Sequence, residues 1–191
     1  MRTASLPLPA DPRSDDDLMR GAVVGERHAY EALVRRHQAR VRAYCARWCG
    51  SRVAGDDLAQ ECFVELWQRR ADYVPHGKFK AYLFHVAANR CKNQRRAQGR
   101  ERSLSEARER EPALEPPSSD RFALVERQER LQQALTKLPE AQREALLLRY
   151  SAELDYAEIA GLLGVPEATA RSRVFLGLMK LRRLLRVEKK S

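Results

Sequence analysis

Apolar residues recur at helical spacing through most of this chain, and that periodicity constrains its fold more than any other feature. Glycine and proline are scarce inside the periodic stretches, and the alternation of β-branched residues that is typical of strands is almost absent. We therefore expect an all-α fold. The predicted helices cover residues 15–24, 27–49, 54–70 and 77–98, and then 121–136, a stretch that starts at Pro139, 155–163 and 166–186.

A break in the periodicity divides the chain into two small modules. In the segment GRERSLSEAREREPALEPPSSD, residues 99–120, alternating charges give way to prolines and serines, a composition that buries little and favours a flexible linker. A flexible linker of about 20 residues averages roughly 25 Å from end to end, so the modules can sit well apart on one long ligand. We expect a disordered N-terminus at 1–14, a helical domain at 15–98 and a second one at 121–187.

The charge of the chain indicates a polyanionic partner. It has 36 lysines and arginines against 26 aspartates and glutamates, a formal net charge of +10. Because such an excess repels itself unless something negative offsets it, nucleic acid is the first candidate and an anionic membrane surface the second. No stretch approaches the roughly 18 unbroken apolar residues of a membrane helix, and the N-terminus lacks the apolar core of a signal peptide. We expect a cytoplasmic protein.

The four cysteines, at positions 45, 49, 62 and 91, form no CxxC pair and fit a reducing compartment. Cys45 and Cys49 lie four residues apart and would share a helix face, with His37 two turns earlier. These side chains are compatible with the corner of a metal site, but a free cysteine on an apolar helix face more often fills the core. We expect neither a metal ion nor a cofactor.

The sequence LDYAEIAGLLGVPEATARSRV predicts a helix-turn-helix. Asp155 is placed to cap the first helix with Glu158 completing a capping box, and Gly164 suits the left-handed position of a tight turn. The second helix buries a stripe centred on Val174 and turns polar residues outward near its start. In this motif the second helix enters the DNA major groove, where arginine pairs with guanine and hydroxyls reach bases or phosphates. The alternative is a plain amphipathic hairpin with a solvated basic face.

The stretch GDDLAQECFVELWQRR combines an apolar helix stripe with an acidic surface. Leu58, Cys62 and Leu66 form the stripe, and Phe63 and Trp67 adjoin it. The acidic and polar surface consists of Asp56, Asp57, Gln60, Glu61 and Glu65. In an otherwise basic chain this surface is either favourable charge near a helix N-terminus or a docking face for a basic or amphipathic protein partner.

The next segment, from Tyr73 to Arg100, contains no acidic residue and interleaves lysines and arginines with aromatic side chains. Because aromatic faces stack on unpaired bases while cations follow the backbone, this mixture suits single-stranded nucleic acid. A solvated basic helix is the alternative. His76 and His85 have no ligand partner at useful spacing, and we interpret both as surface or core residues.

Three classes of protein are compatible with these features. The first is a DNA-binding protein without an active site, since no P-loop, metal-ligand cluster or nucleophile–base pair occurs. The second is a one-component repressor or activator that binds promoter DNA unaided. The third is a helical adaptor whose basic helices bind RNA or an acidic protein.

The modules together resemble the extracytoplasmic-function group of bacterial RNA polymerase sigma factors. The resemblance rests on DDLAQECFVELWQ, FKAYLFHVAANRCKNQRR, a linker and LPEAQREALLLRYSAELDYAEIAGLLGVPEATARSRV, in that order, and runs from about Asp15 to Arg186. It implies a domain like sigma region 2 and a helix-turn-helix domain like sigma region 4, in a non-enzymatic subunit that directs core RNA polymerase to promoter DNA. It also implies an anti-sigma factor that covers both domains, often from the inner membrane.

The resemblance assigns roles to positions in both modules. The acidic helix would dock on the clamp helices of the polymerase β′ subunit through Asp57, Gln60, Glu61 and Trp67. The following loop and helix would hold the non-template strand of the minus 10 element, with one base flipped out, through Phe79, Lys80, Tyr82, Asn89, Lys92, Asn93 and Arg96. The second module would contact the β flap and read the minus 35 element as duplex through Thr169, Arg171, Ser172, Arg173 and Phe175.

Three positions depart from the family's pattern. Tyr82 replaces the usual tryptophan and keeps an aromatic side chain there. Pro166 replaces the common serine cap, which is harmless at a helix start. Leu176 lies where a basic residue is frequent, so we expect fewer DNA contacts at that point.

Overall fold

The computed structural model describes residues 11–102 and 119–187, and these residues form helices without strands. The first module contains α1 (Asp15–Val23), α2 (Arg27–Cys49), α3 (Arg52–Gln68), a 3-10 turn (Arg70–Asp72) and α4 (Phe79–Arg102). The second contains α5 (Ser119–Thr136), α6 (Glu140–Tyr150), α7 (Tyr156–Leu163) and α8 (Glu167–Val187). The predicted all-α fold with two helical modules is confirmed.

Helix α2 is the centre of the first module. Its buried side carries Leu33, Val41, Tyr44 and Trp48, and α1, α3 and α4 pack around it. It approaches α3 most closely at Gly55, where an added Cβ atom would lie 2.4 Å from the main chain of Ala46. Only glycine permits that approach, so this contact fixes how α3 lies on α2.

The ends of the first module differ from the prediction. Residues 11–14, predicted to be disordered, are ordered here: Arg13 pairs with Glu26 at 2.9 Å, and the Ser14 hydroxyl caps α1 by accepting from the Asp17 amide. Helix α4 continues through residues 99–102, which were predicted to belong to the linker. Between Phe79 and Arg102 the sequence contains no proline, and Gly99 is its one glycine. The rest of the predicted N-terminal tail, 1–10, and of the linker, 103–118, lies outside the described residues.

The second module has the predicted helix-turn-helix. Asp155 and Glu158 form the capping box of α7, and Gly164 ends that helix at φ 63°. The buried face of α8 contains Ala170, Val174 and Leu181, as the sequence predicts. Helices α6 and α8 begin one residue later than predicted. Pro139 and Pro166, which were predicted as their first residues, lie directly before them.

The cysteines fill the core of the first module. Cys45, Cys62 and Cys91 are buried, and the Sγ atoms of Cys45 and Cys91 lie 3.9 Å apart. His37 does not join them, since its Nε2 lies 2.8 Å from Asp15 Oδ2. Within residues 11–102 and 119–187, no group of three or more histidine, cysteine or acidic side chains could hold a metal ion. No helix in the same ranges is long and apolar enough to cross a membrane.

Replacing Gly55 by alanine is expected to destabilise the first module. The added methyl group would force α2 and α3 apart, and overpacking of this kind costs about 1–3 kcal/mol. Urea unfolding followed by circular dichroism measures the loss in the free energy of unfolding.

The matched control is Gly161→Ala in α7, where an added Cβ atom meets no other atom within 4 Å. Alanine replaces glycine there in a helix, so stability should rise by about 0.5–1 kcal/mol. Equal stability of the Gly55 variant and the parent protein would contradict the close approach of α2 and α3.

Candidate nucleic-acid interface

The start of α8 presents the side chains that the sequence predicts to read duplex DNA. Arg171, Ser172 and Phe175 are exposed, whereas Thr169 and Arg173 are half-buried. Phe175 is 61% exposed, which is high for a phenylalanine. Leu176 and Met179 continue the exposed apolar surface on the same helix. The predicted reading side chains therefore lie together on one end of α8.

Arg171 is held in place by two neighbours. Its guanidinium lies 4.6 Å from the centre of the Tyr156 ring, and its Nη2 donates to Glu167 Oε1 at 2.7 Å. A cation over an aromatic face and a partner one helical turn away both restrict the side chain. The guanidinium is thus oriented at the surface before any ligand arrives, and it must exchange Glu167 for a base or phosphate on binding.

The acidic surface of α3 is also at the outside of the molecule. Asp57, Gln60 and Glu61 are exposed, and Glu61 pairs with Arg90 of α4 at 3.3 Å. Arg90 also pairs with Glu65, which raises the pKa of the guanidinium. These ion pairs tie the acidic surface of α3 to the basic helix α4.

Trp67 lies half-buried at the end of α3, between a ring and a cation. The Tyr30 ring is centred 4.9 Å away, and the Arg70 guanidinium lies 4.1 Å from the centre of the indole. The Tyr30 hydroxyl donates to the Phe63 carbonyl, which anchors this cluster to α3. The sequence did not indicate Tyr30, because Tyr30 comes from α2 and only the folded chain brings it to Trp67. Arg70 was also missed, although its spacing of three from Trp67 could have indicated the contact.

Helix α4 places most of its predicted ligand-binding residues on an accessible face. Asn89, Asn93 and Arg96 are exposed, while Lys80, Tyr82 and Lys92 are half-buried. Asn89 Nδ2 lies 2.9 Å from His85 Nε2, within hydrogen-bond distance, and this contact orients the amide. His85 was interpreted only as a surface or core residue, although its spacing of four from Asn89 could have indicated the pair.

Phe79 is buried, and this contradicts its predicted contact with DNA. The side chain is 2% exposed, and its ring is centred 5.5 Å from His37 and 5.7 Å from Tyr73. As the first residue of α4, it anchors that helix in the core, and a base cannot reach it. Tyr82 is the more accessible aromatic side chain, packed 5.1 Å from Tyr73 with its hydroxyl buried and unbonded.

Comparisons with known proteins identify both modules. The family described as Sigma-70 region 2 matches residues 33–101, and the family described as Sigma-70, region 4 matches residues 128–181. The chain is 30% identical over 173 residues to the ECF RNA polymerase sigma-E factor of Escherichia coli (strain K12), which covers 85% of this chain and 89% of that protein. The chain belongs to the extracytoplasmic-function (ECF) group of sigma factors. The resemblance seen in the sequence is thereby confirmed.

Two further proteins are similar to this ECF chain. The ECF RNA polymerase sigma factor SigE of Mycolicibacterium smegmatis is 33% identical over 156 residues, which are 81% of this chain but 60% of that longer protein. The sigma factor RpoE from Bartonella quintana, solved in complex with the anti-sigma factor NepR, shares the fold with a TM-score of 0.67. It is 24% identical, and the match covers 83% of this chain and 97% of that one.

Replacing Arg171 by alanine is expected to weaken duplex recognition by region 4. Loss of a base-reading arginine costs about 1–3 kcal/mol and relaxes specificity at the position that it reads. Selection of bound sequences from a randomised duplex, followed by fluorescence anisotropy, measures both effects.

Arg127→Ala is the matched control, since Arg127 is exposed on α5 and carries the same charge. It should lower affinity slightly without changing the selected sequence. Unchanged sequence preference in the Arg171 variant would show that α8 does not read DNA through this side chain.

Proposed function

We propose that this chain is a promoter-specificity subunit of bacterial RNA polymerase. Region 2 would bind the β′ clamp helices of core polymerase and the non-template strand of the minus 10 element. Region 4 would contact the β flap and read the minus 35 element. The observation that carries the proposal is the union, in one ECF chain, of an acidic face on α3, a basic face on α4 and a helix-turn-helix.

The polymerase contact would be made by the exposed acidic surface of α3. Asp57, Gln60 and Glu61 face outward, and Trp67 lies at the other end of the same helix. Acidic side chains attract a basic partner and accelerate its association, and an aromatic side chain at the edge supplies apolar contact. A single helix therefore presents both kinds of interaction that a protein partner needs.

The strand contact would be made by α4 and the loop before it. Exposed Asn89 carries donor and acceptor groups for a base edge, and Asn93 and Arg96 lie on the following turns. Unstacking a base costs free energy that stacking and cationic contacts must offset. Since Phe79 is buried, we assign the aromatic contact to Tyr82 and the charged contacts to Lys80, Lys92 and Arg96.

The proposed subunit has no reaction of its own, so bond formation belongs to the polymerase. We place it in the cytoplasm, where polymerase and promoter DNA are found. We also propose that an anti-sigma factor restrains it, in keeping with the family and with the structure of the similar protein from Bartonella quintana bound to NepR. A membrane-anchored anti-sigma factor is the form that we expect.

Run-off transcription with purified core polymerase tests the proposal. Templates from a genomic promoter library should yield discrete transcripts only when this protein is added. Tight binding to operator DNA without association with core polymerase would instead identify a one-component regulator. Binding to RNA or to an acidic protein, with no transcript, would identify an adaptor.

Asp57→Arg is expected to weaken association with core polymerase. The substitution places a positive charge in the acidic surface of α3, where it repels a basic partner and slows encounter. Surface plasmon resonance with immobilised core polymerase measures the association and dissociation rates.

Glu31→Arg reverses an exposed charge on α2, outside the set of acidic residues on α3, and should leave both rates near those of the parent protein. If the Asp57 variant binds like the parent protein, the polymerase contacts a different face of region 2.

Asn89→Ala is expected to impair promoter melting while sparing polymerase binding. The change removes the amide that His85 orients, and with it a base-edge contact available only in the open strand. Permanganate reactivity of unpaired thymines reports melting, and the resonance assay reports binding. The control is Gln38→Ala, which removes an exposed amide from α2. Normal melting by the Asn89 variant would remove this residue from the site.

A further inference from the structure

Region 4 lies against the basic face of region 2, and five polar contacts there place a cation of α2 or α4 on an acceptor of α6 or of the turn after it. Lys80 Nζ donates to the Glu153 carbonyl at 2.8 Å, and Arg40 pairs with the Glu153 carboxylate at 2.8 Å. The others are Lys92 with Glu144 at 2.7 Å, Arg95 with Glu140 at 2.9 Å, and Arg47 with the Ser151 hydroxyl at 3.1 Å. Contacts of the opposite polarity also occur, since Gln132 Nε2 of α5 donates to the Arg47 carbonyl at 2.7 Å and the Arg143 guanidinium of α6 lies over the Trp48 ring.

These contacts occupy side chains that the proposed function assigns to DNA. Lys80 and Lys92 are expected to bind the minus 10 strand, and Arg95 lies one residue before Arg96 on the same helix. A lysine that pairs with a glutamate on α6 is not available to a phosphate at the same time. The α6 segment and the non-template strand therefore compete for the same positive charges.

The turn between α6 and α7 has an unusual backbone that serves this contact. Glu153 is the non-glycine residue with positive φ among those described, at 56°, where a side chain with a Cβ atom is disfavoured. Its carbonyl and its carboxylate both reach region 2 from that conformation. Strain of this kind persists where surrounding contacts hold it, and here those contacts are Lys80 and Arg40.

One buried side chain favours separation of the two regions. Arg143 is 4% exposed and lies 4.7 Å from the centre of the Trp48 ring, but its Nε and Nη2 atoms have no hydrogen-bond partner. Burial lowers the pKa of this guanidinium, because desolvation disfavours its charged form. Separation of the two regions would return Arg143 to water, where its charge is solvated. The contact between the regions therefore depends on the ion pairs, and salt or a competing polyanion weakens these.

The two DNA-binding faces differ in this arrangement. Arg171, Ser172 and Phe175 of region 4 are exposed to solvent. The basic face of region 2 is partly covered. In this arrangement the surface proposed to bind the minus 35 element is open to solvent, whereas the surface proposed to bind the minus 10 element is partly covered by region 4.

We propose that residues 140–153 of region 4 are an intramolecular acidic partner of the basic face of region 2, and that they keep the unbound chain closed against single-stranded DNA. The inference rests on the proposed function for the identity of the competing ligand, but the closure itself is a property of the chain alone. Binding of core polymerase and the melted strand would replace these contacts and separate the regions.

A double variant, Glu140→Lys with Glu153→Gly, tests the closure. It reverses one ion pair and removes the carboxylate of another, and glycine accepts the positive φ, so the turn keeps its shape. Small-angle scattering of the full chain at low salt should show a larger radius of gyration for the variant than for the parent protein. Fluorescein-labelled oligothymidine should bind the variant roughly two- to thirtyfold more tightly, the range expected from the loss of two exposed ion pairs.

The matched control is Glu129→Lys with Glu126→Ala, which makes the same change in net charge on the exposed side of α5. It should stay compact and bind oligothymidine only slightly more tightly, and thermal unfolding confirms that each variant is folded. Adding Arg95→Glu to Glu140→Lys restores opposite charges across the contact and should restore compactness.

Failure of the closure and failure of the proposed function give different results in these experiments. Equal dimensions and equal oligothymidine affinity in the double variant and its control would overturn the closure, whether or not the chain supports transcription. Opening of the variant without any promoter-specific transcript from the parent protein would overturn the proposed function and leave the closure standing.

Discussion

The backbone contact between α2 and α3 at Ala46 and Gly55 governs the arrangement of region 2. It lets α3 lie close against α2, so that the apolar stripe of α3 enters the core and its acidic side faces out. Helix α4 then packs against both, and Arg90 of α4 meets Glu61 and Glu65 of α3. A larger residue at position 55 would shift the acidic surface relative to the basic helix, even though glycine itself touches no ligand.

Two surfaces of opposite charge lie side by side in region 2. The acidic side of α3 and the basic helix α4 are neighbours, and only Arg90 bridges them directly among the described residues of α4. Lys80, Lys92 and Arg95 of α4 contact region 4, and Arg96 is exposed. This segregation is what allows one small domain to face a protein partner on one side and a nucleic acid on another, since a neutralised surface would attract neither.

Local sequence signals predicted the fold well, and tertiary contacts account for what they missed. The capping box at Asp155, the left-handed Gly164 and the stripe centred on Val174 each act within one or two helices, so the sequence predicts them directly. The burial of Phe79 depends on His37 and Tyr73, which come from distant parts of the chain. The contact of Tyr30 with Trp67 is equally non-local. The family resemblance assigned candidate functional residues in order along the chain, but it could not separate the buried aromatic side chain of Phe79 from the more accessible one of Tyr82.

The closure between the regions follows from the same charge excess that first indicated nucleic acid. A helix with many more cations than acidic residues repels itself unless anions lie near it. Before DNA is present, α6 and its following turn supply those anions through Glu140, Glu144 and Glu153. Periodicity and composition gave no sign of this pairing, because α6 reads as an ordinary amphipathic helix and its partners lie more than 40 residues earlier in the chain. The basic surface therefore lies against anionic groups both before and after DNA binds. Before DNA binds, the chain supplies these groups itself, and afterwards the phosphates of the DNA supply them.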